Sequence, residues 1–174
     1  MYSKFICCFR SKKELDNKSI QYETPDSLNM FDSPIQWKDT ISFVPPIEKG
    51  LVIKVYDGDT ITIASKLPYS TSPLYRFSVR LNGIDCPEMK SKNQHEKECS
   101  LIAREELSKQ ILDKIVTLRN IQTEKYGRIL ADVYIDDLCV NTCMLEKRLA
   151  VAYDGGTKNT PSNWMNYYTK RDDL

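Results

Sequence analysis

Apolar and polar residues alternate along three runs in the middle of the chain, at residues 51–56, 60–63 and 75–81. A period of two is typical of β-strands that bury one face. Asp57-Gly58, between the first two runs, is a tight-turn dipeptide and predicts a hairpin. The pattern therefore predicts three consecutive strands, the first two joined by a short turn.

The period changes to that of an amphipathic helix over residues 94–115, where apolar side chains recur three and four positions apart. Alternation returns at residues 115–122 and 128–135, which predicts a second hairpin. A short helix is expected to follow, with Asn141 as its cap. The order β-β-β-α-β-β-α predicts a mainly β protein with helices, of the five-stranded OB-fold barrel type.

The first 49 residues show no sustained period, and four prolines interrupt them. We expect residues 1–49 to form an N-terminal arm or tether, residues 50–158 the folded domain, and residues 159–174 a C-terminal tail.

Composition limits the function classes. The chain has 174 residues, of which 41% are hydrophobic and 28% charged, so it can build one core. Its net charge of +1 excludes a nucleic-acid binder driven by overall charge, but it leaves a local basic cleft open. The longest apolar run, residues 5–9, is too short for a membrane span or a secretory signal. With only six cysteines, we expect reduced thiols and a cytoplasmic location. The sequence does not indicate an oligomeric state, and a monomer is the default expectation.

Paired cysteines, Cys7 and Cys8, lie in that apolar run with basic residues on both sides. Such a terminus suits S-acylation, in which two chains anchor a protein that one chain cannot hold. Peripheral membrane association through an acylated N-terminus is therefore one hypothesis. The alternative is a terminus whose cysteines have no role.

Charged residues concentrate in four short segments at predicted strand ends: DGDT at 57–60, Arg80, DCPE at 85–88 and KYGR at 125–128. Each segment alone is an ordinary turn or a solvated strand position. In order and spacing they resemble the staphylococcal nuclease (thermonuclease-like) family, through VYDGDT, VRLNGIDCPE, EKYGRILADVY and LAVAY. The resemblance spans residues 51–153 and implies the OB barrel of that family. It also implies a Ca²⁺-dependent nuclease that cleaves DNA and/or RNA and leaves 3′-phosphorylated ends.

The resemblance further implies a metal site. Asp59, Asp85 and the backbone carbonyl of Cys86 would be the ligands of Ca²⁺, and Asp57 would be a nearby acid. The family often has Thr at the position of Cys86, but a carbonyl contact does not depend on the side chain. Two carboxylates and a carbonyl are the hard oxygen ligands that Ca²⁺ prefers.

By the same resemblance, Glu88 would be the general base, and Arg80 and Arg128 would bind the scissile phosphate. Guanidinium groups are always ionised and offer paired donors, which suits the charge that develops on phosphoryl oxygens. A carboxylate can accept the proton of the attacking water.

Three further residues, Lys125, Tyr126 and Tyr153, would contact the nucleotide by resemblance. Aromatic side chains on an open OB face can stack unpaired bases, so we expect single strands to be preferred. The alternative hypothesis is a catalytically inactive module that binds nucleic acid or protein, with or without a membrane tether. Such a module is expected to lack the base or an arginine, whereas this chain has both arginines and Glu88.

Overall fold

The computed structural model describes residues 34–124 and 126–170. It divides the chain into two units between Thr40 and Ile41. The described part of the first unit contains one 3₁₀ turn, Trp37–Asp39. The elements of the second unit are, in order, β1 (Lys49–Val55), β2 (Thr60–Ser65), β3 (Tyr75–Leu81), β4 (Ile84–Asp85), α1 (Gln94–Ile111), β5 (Ile115–Thr123), β6 (Ile129–Ile135), β7 (Leu138–Cys139), α2 (Val140–Glu146), β8 (Val151–Ala152) and α3 (Trp164–Thr169).

Five strands close into a barrel. β1 pairs antiparallel with β2 and β5, β2 with β3, and β5 with β6. The barrel closes where β3 and β6 pair in parallel, with Val79 opposite Ile129 and Leu81 opposite Ala131. The predicted mainly β, OB-type barrel with helices is confirmed, with β7 and the β4–β8 ladder as short additions.

The predicted alternation fills the core in β2 and β3, where Ile61, Ile63, Val79 and Leu81 are fully buried. In β1 the opposite face is inward: Val52 is fully buried, whereas Leu51 and Ile53, expected on the apolar face, are 41% and 40% exposed. The apolar stripe of α1 adds four buried residues: Cys99, Ala103, Leu107 and Ile111. The helix and the strands thus share one core. Burial of each large aliphatic side chain in this core contributes about 1.5–3 kcal/mol.

Two element ends differ from prediction. α1 ends at Ile111 rather than near residue 115, because Leu112 is extended and Asp113 has a positive φ of 59°. α2 starts at Val140, and Asn141 lies inside it instead of capping it. The Asn141 side chain accepts a hydrogen bond from Val133 N (2.9 Å) and donates to Asn82 O (2.8 Å). Buried backbone groups of the barrel therefore use the amide that was expected to cap the helix.

The C-terminal segment is partly helical. α3 lies within the predicted tail, and its Trp164 is only 4% exposed while Tyr168 packs against the core. The compact unit of the structure begins at Ile41 and includes α3. The predicted boundaries at residues 50 and 158 stay a prediction about which part folds independently.

The arm hypothesis concerns residues that the structure does not describe. Cys7 and Cys8 lie outside the described ranges, so their acylation stays a prediction. Within residues 34–124 and 126–170, no helix combines the length and the apolar character needed to cross a membrane. The cysteines of these ranges, Cys86, Cys99, Cys139 and Cys143, are free thiols.

Candidate active site

The candidate site forms where the β1–β2 turn, the end of β3 and the segment after β4 meet. The β2–β3 register places Thr60 opposite Arg80, and Leu81 N donates to Asp59 O at 2.8 Å. β4 is fixed by pairing Asp85 with Val151 in β8. A backbone hydrogen bond thus joins the β1–β2 turn to the end of β3, and the segment after β4 follows that end by only a few residues.

The β1–β2 turn needs glycine at its centre for reasons of space. A Cβ atom at Gly58 would lie 2.9 Å from both the Cys86 Sγ atom and the Ala103 Cβ atom. Cys86 is itself buried, and burial, followed by the charges of Asp59 and Asp57, raises the pKa of its thiol. The close contact holds the turn, and with it Asp57 and Asp59, against the segment after β4.

Arg80 connects the two predicted metal-binding carboxylates. Its Nη1 atom lies 2.5 Å from Asp59 Oδ2, and its Nη2 atom lies 3.1 Å from Asp85 Oδ1 and 3.2 Å from Ile84 O. The three side chains are 13%, 7% and 3% exposed. Burial opposes the charge of Arg80, but the two carboxylates outweigh it and raise the pKa of the guanidinium.

The charged form of Asp57 is disfavoured at this site. Burial, followed by repulsion from Asp59, raises its pKa from 3.8 to about 6. Its Oδ1 atom accepts a hydrogen bond from Asp59 N at 3.3 Å. Asp59 in turn accepts from Thr60 Oγ1 (2.9 Å) and from Cys86 N (3.4 Å). Asp57 therefore lies beside Asp59, as predicted.

A small polar cavity of about 140 Å³ joins most of the predicted residues. Those that line it are Asp57, Asp59, Arg80, Cys86, Glu88 and Arg128. A second cavity of about 400 Å³ lies beside it, and Arg80 lines both. Tyr153 lines the second cavity, with its ring 6.0 Å from the Arg80 guanidinium. The structure thus brings six of the predicted residues together around Arg80: Asp57, Asp59, Cys86, Glu88, Arg128 and Tyr153.

The β5–β6 turn contributes Arg128. Arg128 pairs with Glu124, a residue that lies at the second cavity and that sequence reasoning did not single out. Gly127 has a φ of 78°, which favours glycine in this tight turn. Tyr126 is 72% exposed at the tip of the turn and lines neither cavity. Lys125 lies outside the described residues, so its predicted nucleotide contact stays a prediction.

Glu88 lies at the mouth of the polar cavity, with its side chain 61% exposed. Its backbone N–H donates to Glu96 Oε1 on α1 at 3.0 Å, which ties the segment after β4 to the helix. Its Oε1 atom lies 2.9 Å from Lys158 Nζ, which is also 3.0 Å from Asp85 Oδ1. Sequence reasoning missed Lys158, because nothing in the loop after β8 distinguishes this lysine from a solvated one.

The donor set fits a divalent cation in its chemistry. Asp85 Oδ2 is buried and has no hydrogen-bond partner among the described residues, although Oδ1 has two cationic contacts. A buried carboxylate oxygen without a partner is costly unless a cation or another ligand can satisfy it. In the described ranges, no group of three or more His, Cys, Asp or Glu side chains is placed to hold a metal. The predicted set relies instead on two carboxylates and one backbone carbonyl.

Comparison with known proteins identifies related chains. The sequence model of the family described as staphylococcal nuclease homologue matches residues 78–170, just over half of the chain. A staphylococcal-like nuclease of Arabidopsis thaliana (CAN1) is 39% identical over 82 residues, which cover 45% of this chain and 24% of that protein. A probable endonuclease of Schizosaccharomyces pombe is 30% identical over 128 residues, covering 61% of this chain and 56% of the relative.

An uncharacterized endonuclease of Escherichia coli is 30% identical over 106 residues, which cover 60% of this chain and 61% of the relative. The chain thus spans about a quarter of the plant relative and less than two thirds of the other two. The barrel, the order of its motifs and the family match agree, and the chain belongs to the staphylococcal nuclease family.

Proposed function

We propose that the protein is a Ca²⁺-dependent nuclease that hydrolyses phosphodiester bonds of DNA and/or RNA and prefers single strands. The observation that carries this proposal is the single polar cavity lined by Glu88, Arg80 and Arg128. It combines a carboxylate that can accept a proton with two guanidinium groups that can bind an anion. The endonuclease names of several relatives support the same class of reaction.

Phosphate binding falls to the two arginines. Arg80 and Arg128 line the same cavity, so one phosphodiester group can contact both. Each is an obligate cation with donors arranged for two phosphoryl oxygens, and the charge on those oxygens grows in the transition state. Arg128 has Glu124 as its present partner, and phosphate binding would exchange that carboxylate for the substrate.

In this proposal Glu88 acts as the general base. Its exposed side chain at the mouth of the cavity can contact a water molecule that approaches the bound phosphate. Glu88 takes a proton from this water while the water oxygen bonds to phosphorus. The bond from phosphorus to the leaving oxygen breaks, and the leaving oxygen takes a proton from solvent. General-base catalysis of this kind is typically worth about 10²–10⁴-fold in rate.

The residues that would hold Ca²⁺ are Asp59, Asp85 and the carbonyl of Cys86. When bound there, Ca²⁺ would supply Lewis-acid polarisation of a phosphoryl oxygen. Arg80 keeps both carboxylates in place through its two contacts, so the ligand pair is pre-organised before the cation binds.

The second cavity is a candidate site for the adjoining nucleotide. It begins at Arg80 and continues to Tyr153, whose ring offers an aromatic face beside the guanidinium. A base must leave its duplex partner to enter such a cavity, which supports a preference for single strands.

The test is hydrolysis of single-stranded DNA, single-stranded RNA and duplex DNA by the full-length chain, with Ca²⁺, with Mg²⁺ and with chelator. Glu88→Gln removes the base but keeps the shape of the side chain. Glu105→Gln, on the exposed face of α1 and 67% exposed, is the matched control. We expect Ca²⁺-dependent cleavage that falls by about 10²–10⁴-fold in Glu88→Gln and is unchanged in the control.

Two results would contradict the proposal in different ways. Intact binding of single strands without cleavage under any condition would favour the inactive binding module. Cleavage that is equal in wild type and Glu88→Gln would leave the enzyme but reject Glu88 as its base.

A further inference from the structure

Among residues 34–124 and 126–170, Lys158 is the one side chain that forms ion pairs with both a predicted metal ligand and the predicted base. Its Nζ atom lies 3.0 Å from Asp85 Oδ1 and 2.9 Å from Glu88 Oε1. It reaches them from the loop after β8, seventy positions along the chain from Glu88. Neither the family match nor the motif spacing assigns it a role.

Two cations balance the acids of the site, and they are held differently. Arg80 is 13% exposed and is fixed by Asp59, Asp85 and the carbonyl of Ile84. Lys158 is 43% exposed, and its loop belongs to no helix or strand. Arg80 is therefore held in place by more contacts than Lys158, which can withdraw into solvent on its flexible four-carbon stem.

We propose that Lys158 is a tethered counter-ion that competes with the divalent cation for Asp85 and so sets the cation concentration at which the site loads. The inference rests on the proposed function, because it takes Asp85 as a cation ligand and Glu88 as the base.

The competition follows from two positive charges at one carboxylate. The Lys158 ammonium already contacts Asp85 Oδ1, so a cation bound by Asp85 would bring two like charges within a few ångströms in a partly buried site. Lysine is a compact point charge on a flexible stem, so it can relieve this repulsion by moving away. Cation binding and retention of Lys158 therefore oppose each other.

The same displacement affects the base. Lys158 holds the Oε1 atom of Glu88, which the reaction needs as a proton acceptor. When a cation displaces the lysine from Asp85, the second contact of its Nζ atom is weakened as well. Loading of the cation and release of Glu88 are thereby linked, and by thermodynamic reciprocity each favours the other.

The test is a calorimetric titration of the full-length chain with Ca²⁺, using wild type, Lys158→Met and Lys147→Met. Lys147 is the matched control, since it is 38% exposed and its Nζ atom also lies 2.9 Å from a carboxylate, that of Glu106. We expect Lys158→Met to lower the Kd for Ca²⁺ by about 5- to 150-fold, the usual range of such couplings. Lys147→Met should leave the Kd within about twofold, because it lies outside the coupled groups.

Two further variants ensure that the result does not depend on Lys158→Met alone. These are Lys158→Arg and Lys158→Gln. The arginine keeps the charge and should keep the weaker affinity of wild type, whereas the glutamine should bind as tightly as the methionine. A Kd that is unchanged or raised in both neutral variants would overturn the inference. A chain that binds no Ca²⁺ in any form would overturn it as well.

Nuclease assays at saturating Ca²⁺ separate this inference from the proposed function. Cleavage by wild type with no change of Kd in the neutral variants rejects only the role of Lys158. A lowered Kd without cleavage by any variant rejects the nuclease and leaves the competition supported.

Discussion

Two lysines of this protein make contacts of nearly equal length to carboxylates, but in very different surroundings. Lys147 Nζ lies 2.9 Å from Glu106 on the surface of α1, where the carboxylate is 30% exposed. Lys158 Nζ lies 3.0 Å from Asp85, whose side chain is 3% exposed and which Arg80 also contacts. An exposed pair is worth about 0–1 kcal/mol, whereas a buried carboxylate depends on every cation around it. Contact length alone therefore does not show what an ion pair does.

The pKa values of the two regions differ in direction. A hydrogen bond from Lys147 is the main cause that lowers the pKa of Glu106. Burial and the neighbouring Asp59 raise the pKa of Asp57 to about 6. The charged form of Glu106 is thus favoured on the helix surface, whereas the charged form of Asp57 is disfavoured in the site. A protein keeps such a cluster where function requires it, at a cost in stability.

The largest expected effect follows from removing Arg80. Arg80→Met leaves Asp59 and Asp85 buried without their shared cation, and breaking a buried pair in this way costs about 3–5 kcal/mol. The free energy of unfolding should fall by that amount in urea denaturation with chelator present. Arg119→Met is the control, because Arg119 lies exposed over the Tyr134 ring, a contact worth about 0.5–1 kcal/mol. If both variants lost the same free energy of unfolding, burial would not distinguish the ion pairs of Arg80 from the exposed contact of Arg119.

The convergence of Arg80 with its two carboxylates could be predicted from the sequence, for a physical reason. Strand alternation fixes which residues face the core, and the hairpin turn brings Asp59 next to β3. Because β2 and β3 pair antiparallel, the end of β3 meets the β1–β2 turn, and β4 follows that end within a few residues. The chemical roles of these residues came from the resemblance to the nuclease family, because motif spacing alone does not assign roles.

Other features depend on contacts that no local pattern encodes. Lys158 meets Glu88 across seventy positions, and its loop sequence is that of an ordinary turn. Asn141 is a good capping residue by local chemistry, but the buried N–H of Val133 and the carbonyl of Asn82 compete for its amide. Buried backbone groups must form hydrogen bonds, and this requirement determines what the Asn141 side chain contacts. Those backbone groups are brought together only in the folded barrel.

A smaller effect is expected at Asp57. Its raised pKa means that the folded state binds a proton more tightly than the unfolded state between about pH 4 and pH 6, so stability is lost as the pH rises through this window. Asp57→Asn should therefore gain about 1–3 kcal/mol over wild type above about pH 6, and the gain should shrink toward pH 4. Unfolding measured against pH with chelator present tests this sign.

Asp137→Asn, in the exposed turn before β7, is the control for Asp57 and should change stability by less than about 0.5 kcal/mol. If Asp57→Asn loses stability above pH 6, the carboxylate of Asp57 is favoured in the folded state, and the contrast between the site and the helix surface disappears.

The smallest effect is expected at the surface pair of Glu106 and Lys147. This pair gives the clearest contrast with the buried ion pairs of the candidate site. A double-mutant cycle with Glu106→Gln and Lys147→Met should give a coupling of about 0.2–1 kcal/mol, because both groups stay partly hydrated. Raising NaCl to about 1 M should remove most of it, since the screening length then falls to about 3 Å. A cycle with Arg80→Met and Asp59→Asn, at a pair that is 13% and 7% exposed, should keep its coupling in the same salt. If both couplings fall alike, solvent reaches the candidate site as freely as it reaches α1, and Asp85 does not need Lys158 or a divalent cation to compensate for burial.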